Sequence, residues 1–321
     1  MHTFTYEKPL SIDKAAASGG RFIGGGTTLI DLMKLGVETP PALVDVTGLP
    51  LTTVETLPNG GLRIGALVRN SDLANHPAVV KNYAVLSLAL LSGASPQLRN
   101  MATTGGNLLQ RTRCPYFRDL TAGGCNKRNP GSGCAAIEGH HRMMAVLGTS
   151  EHCIATHPSD MCVAMTALEA VIHVQGAKGQ RAISISDFYK LPGDTPHIEN
   201  TLEPGDLITH VELPPAPNTK QVYLKLRDRA SYEFALASAA VVAHVEGSHI
   251  RSVRIALGGV GTRPWRSHEA EAALTGKAAT PANFKLAAEA ALKNAKPHPE
   301  NAFKVELSRR CIVRTLKMAT A

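Results

Sequence analysis

The chain has 321 residues, of which 44% are hydrophobic and 19% charged, a globular composition that excludes a mainly disordered protein. Aromatic residues make up only 4%, with a single Trp, which excludes a platform that stacks nucleic-acid bases. The net charge of +8 comes from scattered basic residues. We interpret it first as a solvated surface, second as a docking face for another protein and last as a nucleic-acid site.

The apolar runs of the chain are short. The longest, 84–91 and 234–243, fall far below the roughly 20 residues that span a bilayer, so we expect no membrane insertion. The first nine residues lack a basic region followed by an apolar stretch, so we expect no export signal in this chain.

Residues 1–58 are predicted to form a small α/β unit. A strand at 21–23 leads into a glycine loop at 24–28, an amphipathic helix that stops at Gly36, and a strand at 43–46. Asp45 stands where a nicotinamide-binding Rossmann unit places its ribose-binding acid. We do not favour that unit, because Gly-Gly-Gly-Thr-Thr does not fit G-x-G-x-x-G.

Residues 59–215 are predicted to form a second unit. A hairpin-like stretch at 62–68 precedes a helix from Ser71 to about Ser92, and helical character returns at 159–171 after an irregular stretch at 111–156. Strands and turns fill 171–213. The cluster Pro214-Pro-Ala-Pro is the best linker candidate, and it sets the boundary of a third unit at 216.

Residues 216–321 are predicted to form an α+β domain. Three strands, at 222–227, 234–246 and 250–258, come first. Helices at about 266–275 and 281–295 and a terminal helix from Ala302 follow them, and strands followed by helices are typical of this fold class.

Two loops of small and hydroxyl-bearing residues could hold phosphate groups. One runs Phe22-Ile-Gly-Gly-Gly-Thr-Thr-Leu, and the other runs Ala102-Thr-Thr-Gly-Gly-Asn, with Arg99 just upstream. Glycine lets a backbone approach a phosphate closely and offer it amide groups. One such loop is as often a plain tight turn, but the pair suggests a ligand with two phosphates.

The irregular stretch holds four of the six cysteines, spaced C-x10-C-x8-C-x18-C. Four thiolates could complete a [4Fe–4S] cluster or a tetrahedral zinc site, although most zinc ribbons use close cysteine pairs. His140, His141, His152 and His157 could substitute as ligands. Cys162 and Cys311 lie in helical apolar patterns and are predicted to be core residues.

In this order, the two loops, Pro158-Ser-Asp and a strand bearing Lys225 resemble the FAD-binding subunits of the molybdenum hydroxylases, the xanthine oxidase superfamily. The stretches from Asn107 to Phe117 and around Cys125 and Cys134 are similar above all to the periplasmic aldehyde oxidoreductase type. The resemblance covers essentially the whole chain. It implies an α+β fold with a two-part FAD-binding domain, of the PCMH or vanillyl-alcohol-oxidase-like type, followed by a C-terminal domain of the CO dehydrogenase flavoprotein type.

The resemblance also implies the site residues. The pyrophosphate of FAD would be held by the first loop, at Ile23, Gly24, Gly25, Gly26, Thr27, Thr28 and Leu29. The other side of FAD would contact Ala102, Thr103, Gly106 and Asn107. Asp160 would bind a FAD hydroxyl and Lys225 would lie near the isoalloxazine ring. Gly26 is a departure, because many members of the family carry a polar residue at this position.

An insert of about 45 residues separates the second loop from Pro158. Members with such an insert hold an extra [4Fe–4S] cluster in it, which implies the ligands Cys114, Cys125, Cys134 and Cys153.

By the same resemblance, the chain would be an electron-transfer subunit. Its partners would be a large molybdopterin-binding subunit, a small [2Fe–2S] subunit and an external electron acceptor, with no nucleic acid. The chain would reach the periplasm by export together with a signal-bearing partner, and a cytoplasmic location fits equally well. The alternatives are a stand-alone flavin oxidoreductase and a zinc-stabilised basic binding module.

Overall fold

The computed structural model describes residues 1–215 and 219–321 and contains three β-sheets. Within these residues the strands are β1 Thr5–Glu7, β2 Arg21–Ile23, β3 Ala42–Asp45, β4 Val54–Thr56, β5 Leu62–Gly65, β6 Val171–Gly176, β7 Gly179–Ser184, β8 Leu207–Leu213, β9 Lys220–Leu226, β10 Ala237–Glu246, β11 His249–Gly258 and β12 Trp265–Arg266.

Short helices connect the strands, and the longest helix ends the chain. The helices are α1 Ile12–Ala17, α2 Leu29–Lys34, α3 Asn70–Asn75, α4 Pro77–Asn82, α5 Ala84–Ser92, α6 Pro96–Met101, α7 Thr104–Leu108, α8 Pro115–Arg118, α9 Ala135–Glu138, α10 Asp160–Ala167, α11 Ile185–Phe188, α12 His268–Leu274, α13 Pro281–Ala291 and α14 Phe303–Thr320, with a 3-10 turn at Pro299–Asn301.

The first sheet has the order β1-β3-β2, and all of its strands are parallel. The helix α2 crosses over from β2 to β3, so the predicted strand–loop–helix–strand unit is present. Asp45, at the end of β3, accepts a hydrogen bond at 2.8 Å from the backbone amide of Thr47 and another from the Tyr6 hydroxyl. This carboxylate is therefore used within the fold, in agreement with our rejection of a Rossmann unit.

The second sheet has the order β4-β5-β8-β6-β7 and is antiparallel. One helix was predicted from Ser71 to about Ser92, and the structure has three, because Pro77 begins α4 and Tyr83 separates α4 from α5. Proline lacks the N–H that would continue the preceding helix, whereas its fixed φ suits a first turn.

The third sheet has the order β12-β11-β10-β9. Helices α12 and α14 pack against it, and α13 packs against those two helices. Helix α10 is buried along its whole length and shares one apolar core with strands of the second and third sheets. Cys162 in α10 and Cys311 in α14 are core residues, as predicted. The predicted linker at Pro214-Pro-Ala-Pro lies partly outside the described residues. Among the described helices, none has both the length and the apolar character needed to cross a membrane.

Candidate functional site

The two predicted glycine loops meet backbone to backbone. A Cβ built on Gly25 would overlap the carbonyl oxygen of Met101, and one built on Gly24 would lie 3.0 Å from Thr103 Oγ1. Thr103 in turn caps α7, because its Oγ1 accepts a hydrogen bond at 3.2 Å from the Gly106 amide. Only a residue without a side chain fits at Gly25 in this arrangement, so the contact needs glycine.

A cleft with a cavity volume of about 430 Å³ opens beside this contact. Seven of the predicted FAD-contacting residues line it: Thr27, Thr28, Ala102, Gly106, Asn107, Asp160 and Lys225. The remaining predicted residues belong to the same loops but, within the described chain, are not part of this lining: Ile23, Gly24, Gly25, Gly26, Leu29 and Thr103. The two loops therefore contribute backbone and small side chains to one part of the wall, which suits a phosphate-bearing ligand.

A buried ion pair joins the cleft to the third sheet. Asp160, the first residue of α10, accepts a hydrogen bond at 2.8 Å from Lys225 Nζ and another at 2.5 Å from the Tyr223 hydroxyl. The Lys225 and Asp160 side chains are only 3% and 9% exposed. Burial, and then the neighbouring Asp160 carboxylate, raises the pKa of Tyr223 well above its ordinary value, so the phenol stays a donor. The pair thus fixes two cleft residues from different parts of the chain.

The loop residue Asn107 is also fixed from outside its own loop. Its Oδ1 accepts a hydrogen bond at 2.6 Å from Ser159 Oγ, and Ser159 also caps α10. The predicted Pro158-Ser-Asp turn therefore holds the second loop as well as placing Asp160.

The cleft includes residues that the sequence reasoning missed. Ala94 and Tyr232 line it, and both have left-handed backbone angles, with φ of 53° and 54°. Such angles are unfavourable for residues other than glycine and cluster at functional sites. Arg113 also lines the cleft, 5.2 Å from the centre of the Phe234 ring. No local pattern marks these residues, since their position depends on how the third sheet closes over the loops.

The four clustered cysteines line one small enclosed cavity, with aromatic and small side chains around them: Cys114, Tyr116, Phe117, Cys125, Cys134, Ala136, Cys153 and Ala155. Cys125 and Cys134 are paired across a short antiparallel bridge, and all four thiols are free. Burial raises the pKa of Cys114 to about 12 and that of Cys153 to about 11. Without a cation these thiols stay protonated, whereas a metal binds the thiolate form and releases the proton.

The spacing of the sulfurs bears on the kind of metal they could bind. Among the described residues, no three of these Sγ atoms lie within 4.8 Å of one another. Zinc–sulfur bonds of about 2.3 Å in a tetrahedron place the sulfurs about 3.8 Å apart. The four sulfurs are therefore spaced more widely than the ligands of one tetrahedral zinc ion.

The insert that carries the cysteines is held by polar contacts as well as by an apolar cluster around Phe117 and Ile154. Arg128 Nη1 donates hydrogen bonds to the carbonyls of Tyr116 and Phe117, at 2.6 and 3.1 Å. Lys127 forms an ion pair of 2.7 Å with Glu199, outside the insert. These contacts supply part of the support that a loop of this length and polarity needs.

Of the four histidines considered as substitute ligands, only His152 lines the cysteine cavity within the described chain. His140 lies 3.3 Å from Glu300, and His141 Nε2 accepts a hydrogen bond at 3.1 Å from the Glu300 amide. His157 packs edge-on against Tyr189, with ring centres 4.8 Å apart.

Two family models match the chain. The model described as "FAD binding domain in molybdopterin dehydrogenase" matches residues 3–216, and "CO dehydrogenase flavoprotein C-terminal domain" matches residues 222–319. These matches confirm the α+β fold class expected from the sequence.

Known proteins agree with the family models. The chain is 53% identical to the aldehyde oxidoreductase FAD-binding subunit PaoB of Escherichia coli (strain K12), covering 100% of this chain and 99% of that one. It is 29% identical to the glyceraldehyde dehydrogenase medium chain of Sulfolobus acidocaldarius, covering 85% and 82%. A solved carbon monoxide dehydrogenase from Hydrogenophaga pseudoflava has a TM-score of 0.77 at 25% identity, covering 99% of this chain and 97% of that one. The chain therefore belongs to the FAD-binding subunits of the molybdenum hydroxylases, a family of oxidoreductases.

Proposed function

We propose that this chain is the FAD-binding electron-transfer subunit of a heteromeric, molybdenum-dependent aldehyde oxidoreductase. Identity of 53% over the full chain to an aldehyde oxidoreductase FAD-binding subunit supports the reaction class. A bound FAD supplies a carrier that takes up electrons from partner centres and passes them to an external acceptor. The chain's own residues bind this cofactor, orient it and shield it from water.

The observation that carries the proposal is the backbone contact of Gly25 with the carbonyl of Met101. It brings two amide-rich loops to one side of a cleft large enough for an extended cofactor. In this arrangement the first loop, from Ile23 to Leu29, would hold the pyrophosphate of FAD. The second loop would contact the other side of the cofactor, through Ala102, Thr103, Gly106 and Asn107. No cationic side chain is needed at the phosphates, because backbone amides supply the donors.

Asp160 and Lys225 would act at the far end of the cleft. Asp160 would accept a hydrogen bond from a hydroxyl of FAD, and its pairing with Lys225 holds the carboxylate in place. Lys225 Nζ also donates to the carbonyl of Ser92 at 3.2 Å. Its charge is thus fixed beside the cleft, where it would lie near the isoalloxazine ring.

We further propose that Cys114, Cys125, Cys134 and Cys153 hold a [4Fe–4S] cluster. Their shared cavity and the wide spacing of their sulfurs support this assignment over one zinc ion. The cluster would supply a one-electron centre inside the insert. The chain supplies four thiolates and an enclosing shell of apolar and aromatic side chains.

Other chains would complete the assembly. Several relatives are named medium chains or medium subunits, words that imply further chains in their assemblies. We propose a large molybdopterin-binding subunit that oxidises the aldehyde and a small [2Fe–2S] subunit that relays electrons.

We also propose export to the periplasm together with a signal-bearing partner. Cell fractionation tests this address, and recovery of the assembly only from the cytoplasm would contradict it.

The deciding experiment is affinity purification of this chain from its native host under anaerobic conditions. We expect two partner subunits, molybdenum and bound FAD, and an aldehyde should bleach the flavin absorption of the complex. The chain separated from its partners should show no aldehyde oxidation. Aldehyde oxidation by the separated chain would favour a stand-alone flavin enzyme and contradict the proposal.

A further inference from the structure

A cluster of three metal-ligating side chains lies on the outer face of the second sheet, apart from the cleft and the cysteine cavity. His173 on β6 and His210 on β8 are direct cross-strand partners, and Glu212 lies two residues along β8. Side chains at i and i+2 of a strand share one face, and cross-strand partners are its nearest neighbours. The sheet register therefore brings the three side chains together.

The ligand atoms are close to coordinating distance. His173 Nε2 lies 3.4 Å from Glu212 Oε2, and His210 Nε2 lies 3.7 Å from Glu212 Oε1. All three residues offer a ligand atom within 4.8 Å of the other two. Bonds of about 2.0–2.2 Å in a tetrahedral site place such atoms roughly 3.3–3.5 Å apart. The rings of His173 and His210 are stacked, with centres 4.2 Å apart and planes 11° apart, so one ring must turn before both nitrogens can face one ion.

His173 Nε2 is buried and, among the described residues, has no hydrogen-bond partner. Its 3.4 Å contact with Glu212 is close but lacks the geometry of a hydrogen bond. Buried polar atoms are nearly always bonded, and one without a partner calls for a missing ligand or ion. This atom points to a group that would sit between the histidine and the carboxylate.

The tautomer of His210 follows from its neighbour. The Thr209 hydroxyl donates to the carbonyl of His173 at 3.2 Å, so at 3.0 Å it accepts from Nδ1–H of His210. The proton on Nδ1 leaves the lone pair of Nε2 free toward Glu212.

Arg63 orients the carboxylate. Its Nε and Nη2 both donate to Glu212 Oε1, at 3.0 and 2.8 Å. Oε2 therefore remains free, and it faces His173. Residues that hydrogen-bond to the ligand side chains in this way fix the geometry of metal sites. The three ligand side chains are 24–26% exposed, which leaves a path for an ion and for water.

We propose that His173, His210 and Glu212 form a site for one divalent transition-metal ion of the Zn²⁺ class, with an open coordination position. Two imidazoles and one carboxylate are a common zinc ligand set, whereas Mg²⁺ and Ca²⁺ prefer oxygen ligands alone. The ion would cross-link β6 to β8 on the face opposite the core of this sheet.

The test uses the purified assembly with its native cofactors and Co²⁺ as the probe. Cobalt bound to imidazole and carboxylate shows visible ligand-field bands without the intense thiolate charge-transfer band of a cysteine site. We expect one such ion per chain in the native assembly. His210→Gln and Glu212→Gln should each weaken its binding by roughly 100-fold or more. His249→Gln is the matched control, because His249 is exposed and contacts Ser248 instead of this cluster.

A second readout is the melting temperature, which Zn²⁺ should raise in the native assembly and in the His249→Gln variant but not in the two ligand variants. Unchanged FAD content in all variants verifies that they are folded. If His210→Gln does not fold, Glu212→Gln still decides, because its amide oxygen can accept from Arg63. Equal cobalt binding by all variants, or cobalt bound only to thiolates, would overturn the proposal.

Discussion

The ammonium of Lys225 donates a hydrogen bond at 2.8 Å to the carboxylate of Asp160, and both groups are almost fully buried. This contact links β9 of the third sheet to the start of α10, whose residues share one apolar core with the second and third sheets. The Tyr223 hydroxyl on the same strand also bonds Asp160, and Lys225 also bonds the Ser92 carbonyl. The buried ion pair is therefore one of several contacts that hold the C-terminal domain against the cleft.

We predict that Lys225→Met destabilises the protein by about 3–5 kcal/mol, because it leaves a buried carboxylate without its cation. The FAD content should fall as well, since Asp160 loses its fixed position. Urea unfolding and the flavin-to-protein ratio measure the two effects.

The control is the exposed ion pair between Arg142 and Asp228, whose side chains are 49% and 44% exposed. Asp228→Asn should destabilise the protein far less than Lys225→Met, because solvent screens surface pairs. If Lys225→Met costs no more than this control, the buried pair does not hold the two parts together.

We predict that Cys125→Ser removes the iron of this chain while most FAD stays bound, because the cysteine cavity and the cleft have different linings. Iron, acid-labile sulfide and flavin are measured on the purified assembly. Cys311→Ala is the control, since Cys311 is buried in α14 away from the insert. Iron content that is the same in both variants would refute the ligand assignment.

We predict a pH-dependent contribution to stability from Lys304. This side chain is fully buried, and burial, with a smaller effect of Arg142, lowers its pKa from 10.5 to about 7. Between these values the unfolded chain binds a proton that the folded chain has released. The free energy of unfolding therefore rises with pH in this window, by at most about 1.4 kcal/mol per pH unit. Below about pH 7 Lys304 is protonated in both states and contributes no pH dependence.

Lys304→Met should abolish this rise, and exposed Lys293→Met should leave it unchanged. Urea unfolding at about pH 6 and about pH 9 compares the three proteins. The difference in stability between native protein and Lys304→Met should grow toward the higher pH. A difference that stays constant would show that Lys304 is not deprotonated in the folded state.

The sequence predicted best those parts of the site that depend on the local backbone conformation. The glycines at 24–26 and 105–106 mark two close approaches, and the strand–loop–helix–strand unit around the first of them is as expected. Three strands of the third sheet were also predictable, because β10 is a nearly continuous apolar run, which is typical of a fully buried strand.

The rest of the cleft depends on contacts between distant segments. Nothing near Tyr223 indicates that its hydroxyl bonds Asp160, and nothing near Ala94 or Tyr232 indicates a left-handed backbone. The cross-strand pairing of His173 with His210 likewise requires the register of a sheet, which a single sequence does not reveal.

The most direct test of the central claim is the FAD content of Gly25→Ala in the intact assembly. The new methyl group would overlap the Met101 carbonyl and force the two loops apart, so most of the FAD should be lost. Gly48→Ala is the control, because its methyl group meets only the flexible end of Lys8, at 3.1 Å, and should leave FAD at the native level. Full FAD occupancy in Gly25→Ala would contradict the assignment of this cleft as the flavin site.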